Sequence, residues 1–411
     1  MRRPAWPTQI AAAAASVALL PISAAFAQDD AERVRRAVAH TISTQLPNGL
    51  FEYDFDFLAG EPTGKDNIVR QAGTLFVLGE YLVDTGDADI VPVMHKGLDA
   101  MAERSLPIGK GTLQSIVEWL GGFSIKSWRL ERAYDRMGTL YDPTGDGLVV
   151  AGADTYETAY AGATALALIA ELSYFRATGD DRYSELRASW TRGLLSLQVQ
   201  GSGVRSHPAT LAQGPYANGE AWLALTYYHE TFPNDTKVEQ ALQDLEDYVI
   251  ELYTHEPDRS FYHWGAMASA ARFATGDAER LAEFSAQQAE FILDARPPES
   301  TLKNTTCSLI EGLASAIAVL ESWPGRERLV TRMRERVLVE LSRNRALQIR
   351  PQQDRVELGA GALLMAPTLG RYDGAFLAGP YHIYTRTDFT QHCISAFLKV
   401  RRYGLQSAES P

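Results

Sequence analysis

The stretch FATGDAERL, residues 273–281, closes one apolar run and opens another. Its Thr-Gly-Asp core also ends an apolar run in RATGDDRYSEL at 176–186 and in VDTGDADIV at 83–91. A glycine just past a helix takes the left-handed conformation that ends it, and an aspartate after it can cap the next helix. Each copy therefore predicts the joint of a helical hairpin.

Working outward from these joints gives a repeat. Six segments rich in alanine, glycine and apolar residues lie at 66–87, 154–180, 216–235, 262–277, 304–325 and 388–404. Most end at Thr-Gly-Asp or at a proline stop such as FPND or WPG, and their small residues suit helices packed on all sides. Six more polar segments accompany them, at 30–43, 90–105, 181–197, 237–252, 278–293 and 326–342. These carry apolar residues at three- and four-residue spacing with charges opposite, the pattern of a helix covered on one face. Six outer and six inner helices predict an all-α fold, an (α/α)6 toroid, with an open α-solenoid as the competing arrangement. The two long joints, 106–153 and 344–385, mix glycine with β-forming residues, so short strands forming a rim are expected there.

The 411-residue chain begins with a short basic stretch, MRRPAW, then the apolar IAAAAASVALLPISA and the small residues of AFAQ. This reads as a secretory signal peptide over residues 1–27, cut after Ala27, with a single catalytic-size domain over 28–411. A periplasmic or secreted location follows as an expectation. No later segment is apolar enough to span a bilayer. The formal charge of −12 becomes −14 without Arg2 and Arg3, which argues against nucleic-acid and anionic-membrane partners but leaves room for a small basic pocket. Cys307 and Cys393 are enough for one bridge in an oxidising compartment.

At the level of hairpin count and joint pattern, the chain resembles the six-hairpin glycosidase superfamily and its relatives, among them toroidal polysaccharide lyases and sugar epimerases. The resemblance implies a saccharide site in the funnel where the inner helices begin. Polar and aromatic residues do gather at those starts. They are Asp66 and Arg70; Asp154 and Glu157; Tyr216, Asn218 and Glu220; Tyr262, His263 and Trp264; Asn304; and Arg386, Asp388 and His392. Rings stack on sugars while carboxylates, amides and guanidiniums bind hydroxyls. Helix capping is the bland alternative for Asp66, Asp154, Asn304 and Asp388. Structural pairing is the alternative for Asp66–Arg70 and Asp388–His392, each four residues apart. The segment NGLFEYDFDFLAG, 48–60, alternates like a strand and also offers Tyr53 to the funnel.

The first functional expectation is a glycoside hydrolase working by carboxylate general acid/base catalysis. Glu220 is its acid, Glu157 or Asp154 its base, and Asp66 and Asp388 are held in reserve. Tyr53, Arg70, Tyr216, Asn218, Trp264, Asn304 and Arg386 would hold the sugar. The second is a lyase or uronyl epimerase in which His392, His263 or Tyr262 removes a proton beside a carboxylate neutralised by Arg70 or Arg386. The third is a saccharide-binding toroid without catalysis. No metal or cofactor is expected. DPTGDG (142–147) has Ala153 where a calcium loop needs glutamate, and a zinc site at Cys307, His392 and Cys393 is less favoured than a disulfide. Phosphate-loop, HExxH and GxSxG signatures are absent from the sequence.

Overall fold

The structure is a computed structural model and describes residues 22–108, 147–210, 212–351, 354–358 and 361–405. Residues 1–21 of the leader reading, the GGFSIKSW segment and most of DPTGDG lie outside the described residues. Twelve α-helices occupy the described residues. The outer set is α1 (Ile22–Ser43), α3 (Val91–Glu103), α5 (Ser184–Leu197), α7 (Thr236–His255), α9 (Ala278–Ala295) and α11 (Glu327–Leu347). The inner set is α2 (Ile68–Thr85), α4 (Ala161–Thr178), α6 (Pro215–Thr231), α8 (Arg259–Arg272), α10 (Cys307–Leu320) and α12 (Thr387–Arg402).

The two sets are buried as their sequences require. In α4 every residue from Ala161 to Tyr174 is buried. In α7 burial falls on Val238, Ala241, Leu242, Leu245, Val249, Ile250 and Tyr253, one stripe at helical spacing. Each large aliphatic side chain removed from water along that stripe contributes about 1.5–3 kcal/mol. Closure decides between toroid and solenoid. Each inner helix packs on the next, and α12 packs back on α2. The chain is a closed ring.

The glycines of the joints behave as read at two of three places, although Asp180 does not cap α5, which starts after Tyr183 without a side-chain cap. Gly86 and Gly179 are left-handed, with φ of 67° and 70°, and their N–H groups close the helices onto Leu82 O and Phe175 O. Gly276 departs from the pattern. Helix α8 has already ended at Arg272, the chain turns through residues 273–276, and no positive φ is needed. Asp277 nevertheless caps α9 through Arg280 N, and Asp235 caps α7 through Val238 N.

The inner-helix starts also shift. Helix α4 begins at Ala161, because 154–158 is taken up by a turn bridging Ala151 to Ala159. None of the four residues suspected of capping is the N-cap of an inner helix. Asn67 caps α2 in place of Asp66, and the residues preceding α4, α10 and α12 are Tyr160, Thr306 and Arg386, which make no side-chain cap.

Strands form the rim, as expected. β1 (Asp54–Asp56), β7 (His382–Arg386) and β6 (Leu377–Gly379) make an antiparallel sheet in the order β1-β7-β6, with Asp54 opposite Arg386. β2 (Ser105–Ile108) pairs with β3 (Gly147–Val150), and β4 (Arg355–Glu357) with β5 (Leu363–Met365). A small apolar cluster of Phe55, Phe57, Ile349 and Tyr372 seats the rim sheet. Cys307 and Cys393 form a disulfide joining the first turn of α10 to the second turn of α12, Cα to Cα 4.8 Å. No helix of the described residues is long and apolar enough to cross a membrane.

Candidate active site

The N-terminal turns of all six inner helices open on a cavity of about 580 Å³. Its walls include Arg70 of α2, Gly162 of α4, Tyr216 and Glu220 of α6, His263 and Trp264 of α8, Ser308 of α10, and Asp388 and His392 of α12. A closed ring of parallel inner helices brings residues more than 300 positions apart to one place.

Glu220 sits in the second turn of α6 and is 4% exposed. Helix α4 makes room for it at Gly162, where a Cβ would stand 1.9 Å from Glu220 Oε2. Among the described residues its carboxyl has no hydrogen-bond or ion-pair partner. Burial alone pushes its pKa up to about 8, so the group is protonated at neutral pH. An unpaired buried carboxyl costs stability and invites a functional account.

Asp388 is held the opposite way. Arg386 grips it bidentately, Nε to Oδ1 at 2.5 Å and Nη2 to Oδ2 at 2.8 Å, and Arg70 Nε reaches Oδ2 at 3.0 Å. Arg70 also donates to the Tyr53 hydroxyl, and the Arg386 guanidinium lies over the Phe389 ring at 4.4 Å. Beside this cluster, His392 Nδ1 is hydrogen-bonded to Glu311 Oε2 at 2.8 Å. Burial would push His392 down, but the Glu311 carboxylate outweighs it and holds the imidazole above its ordinary pKa. The ring of His263 stands 5.5 Å from that of His392, nearly perpendicular. Burial, with the positive charges of His392, Arg296 and Lys399, keeps His263 well below its ordinary pKa, hence neutral. Among the described residues, His263 Nε2 and Trp264 Nε1 are buried without a hydrogen-bond partner. Three polar groups lacking partners thus belong to residues lining one cavity, which is what a ligand-binding wall supplies. His263, Glu311 and His392 also place their ligating atoms within 4.8 Å of one another, a grouping that could hold a metal ion. In this arrangement two of the three already bond each other.

Glu220, Asp388, His392, Arg70, Tyr216, His263, Trp264 and Arg386 all line the cavity. The others do not. Asp154 is exposed and Glu157 half-buried on the turn before α4, because that helix starts at Ala161, about two turns later than its sequence suggests. Asp66 is exposed and accepts from Gln71 Nε2. Asn218 holds the backbone of Val204 and the Tyr253 hydroxyl. Tyr262 points away into the core and is 2% exposed, and Tyr53 acts through Arg70. Asn304 faces a separate cavity of about 460 Å³ beside Leu302 and Arg343. The residue that sequence reasoning missed is Glu311. Its signal was a lone acid in the apolar run CSLIEGLASA, one turn after Cys307.

No family model matches the chain, and no curated protein does either. Solved structures do. The α-1,6-mannanase of Salegentibacter sp. HEL1_6 superposes with a TM-score of 0.57 at 14% identity, over 91% of this chain and all of the other. A D-mannose isomerase gives 0.57 at 12% identity over 92% and 98% of the two chains. The cellobiose 2-epimerase of Spirochaeta thermophila gives 0.55 at 13% over 93% and 98%. The fold is the six-hairpin toroid. Identities this low carry the architecture and leave the reaction to the residues.

Proposed function

We propose that the protein is a carbohydrate-active enzyme, a glycoside hydrolase in which Glu220 is the general acid. The observation that carries this reading is the partnerless carboxyl of Glu220, protonated up to about pH 8 and facing the cavity. Asp388 is the second carboxylate of the cavity and replaces Glu157 and Asp154 as the base. Water held by Asp388 attacks the anomeric carbon and gives up a proton to that carboxylate. The glycosidic bond breaks, and the leaving oxygen takes the proton of Glu220. Trp264 and Tyr216 offer faces for the sugar rings. Structural neighbours include a mannanase crystallised as an inactive variant with an α-1,6-mannotetraose-type ligand, which supports a saccharide substrate.

A second reading has its own observation. His263 is pushed down and His392 up, and two facing groups so separated form an acid/base pair. Such a pair removes a proton from a carbon beside a sugar carbonyl and returns one elsewhere, the chemistry of an isomerase or epimerase. The mannanase variant called inactive has two consecutive aspartates replaced. Here consecutive aspartates stand only at 29–30 and 180–181, away from the cavity. A hydrolase on this chain therefore works with other carboxylates than that mannanase.

Product analysis separates the two. Incubation with a panel of oligosaccharides should yield shorter sugars, each cleavage adding one water by mass. Products of unchanged mass with altered stereochemistry or carbonyl position would replace hydrolysis by the second reading. Export through a cleaved leader of residues 1–27 belongs to the same proposal. The leader's composition and the Cys307–Cys393 bridge support it.

A further inference from the structure

The charges around the cavity do not match those of the molecule. The chain carries a formal −12. In the cavity wall, two guanidiniums share one carboxylate, Asp388, while the other wall acid, Glu220, has its proton. His392 and Glu311 balance each other, and His263 adds no charge. The wall is left with an excess positive charge, and it sits on arginines that have donors to spare. Arg386 uses Nε and Nη2 on Asp388, and Arg70 uses Nε on Asp388 and Nη1 on Tyr53. Among the described residues, Nη1 of Arg386 and Nη2 of Arg70 have no partner. Both side chains keep surface open, 24% and 34%.

We propose that the saccharide held in this cavity carries a carboxylate, as a uronic acid unit, and that Arg70 and Arg386 receive it. The inference rests on the reading of the cavity as a saccharide site. Planar guanidiniums pair with planar carboxylates through parallel N–H···O bonds, a match that a lysine or a neutral amide lacks. Asp388 fixes both guanidiniums in place before the ligand arrives, so little side-chain entropy is lost on binding. Protonated Glu220 adds an O–H donor to the same cavity. The acidic exterior opposes a long polyanion and leaves a short uronate-bearing oligosaccharide as the better ligand.

Calorimetry tests this without reference to turnover. Glucuronate- and mannuronate-containing oligosaccharides are compared with the same sugars after reduction of the carboxyl to an alcohol. The uronates should bind about tenfold or more tightly, the range of one charge-assisted hydrogen bond. That advantage should vanish in Arg70→Gln and in Arg386→Gln and return in part in Arg386→Lys, with unfolding midpoints confirming each fold. Equal binding of the reduced sugars, or an advantage that survives both glutamine variants, overturns the assignment. A sulfated neutral sugar that binds as tightly as the uronate overturns it as well. If neutral sugars bind and uronates do not, only the charge assignment falls. If neither kind binds at any concentration tested, the saccharide reading itself falls.

Discussion

At the far ends of the inner helices, Glu80 of α2 accepts from Lys399 Nζ at 2.8 and 3.0 Å and from Ser395 of α12. Glu171 of α4 meets Arg187 at 2.8 Å, and Glu246 of α7 meets Arg272 and the Trp222 indole. On the outer wall, Glu340 takes Arg336, Arg343, Thr301 and Thr306. Every one of these buried acids faces a cation. At the cavity end Glu220, buried as deeply, faces none among the described residues. Burial raises the pKa at both ends. At Glu80 the Lys399 and Arg402 charges and the two hydrogen bonds bring it back below the ordinary value. At Glu171 and Glu246 burial outweighs the arginine each one meets, leaving Glu171 at about 8, and at Glu220 no counter-charge opposes burial. The contrast is therefore one of partners: the far-end acids tie helices together through a cation, and Glu220 has the cavity in place of one.

The sharpest way to break this comparison is to remove the proton donor. Glu220→Gln keeps the shape and hydrogen-bonding capacity but cannot protonate a leaving oxygen. It should fold, keep its saccharide affinity and lose turnover by ~10²–10⁴, measured as initial rates on the oligosaccharide cleaved by the wild type. Near-normal turnover there, with collapse in His392→Asn, would hand the reaction to the histidine pair.

The opposite perturbation should act on stability alone. Lys399→Met leaves Glu80 buried with Ser395 as its hydrogen-bond partner and the Arg402 charge as its remaining cation, and breaking a buried pair from one side costs about 3–5 kcal/mol. Guanidinium unfolding of the variant should show that loss, and a double variant with Glu80→Leu should recover much of it. A change below ~1 kcal/mol would mean that the Lys399–Glu80 pair is solvated and the contrast false.

The smallest effect is a pH signature. Glu220 has a folded pKa raised to about 8 from an ordinary 4.5. Between those values the unfolded chain ionises and the folded one does not, so this group lowers stability progressively as pH rises from about 4.5 to about 8. Glu220→Gln abolishes the effect. Its melting temperature should match the wild type near pH 4 and exceed it by a few degrees at pH 8. A constant difference across the range would show that Glu220 is solvated. In the hydrolase reading, wild-type turnover falls above about pH 8 as the acid loses its proton.

The repeat was legible in the sequence because it is local. Thr-Gly-Asp joints, capping aspartates such as Asp277, and the contrast between 161–174 and the stripe of α7 are properties of neighbouring residues. The same local patterning marked Glu220 as an acid among apolar neighbours and Cys307–Cys393 as a bridge. It misjudged Asp154 and Glu157, because a polar run before a helix reads equally as its first turn or as the loop ahead of it. Only the docking of Gly162 against Glu220 of α6, and of the Ala161 N–H on Ser206 O, decides where α4 begins. Ring closure, the pairing of Glu311 with His392 across 81 positions, and the sharing of Asp388 between Arg70 and Arg386 likewise depend on which helices become neighbours. The sequence alone determines periodicity, the buried face of each helix and some of the caps, Asp277 among them. Which charges meet, and which acid is left without a partner, is decided by packing, because those interactions act over a few ångströms between residues the chain places hundreds of positions apart.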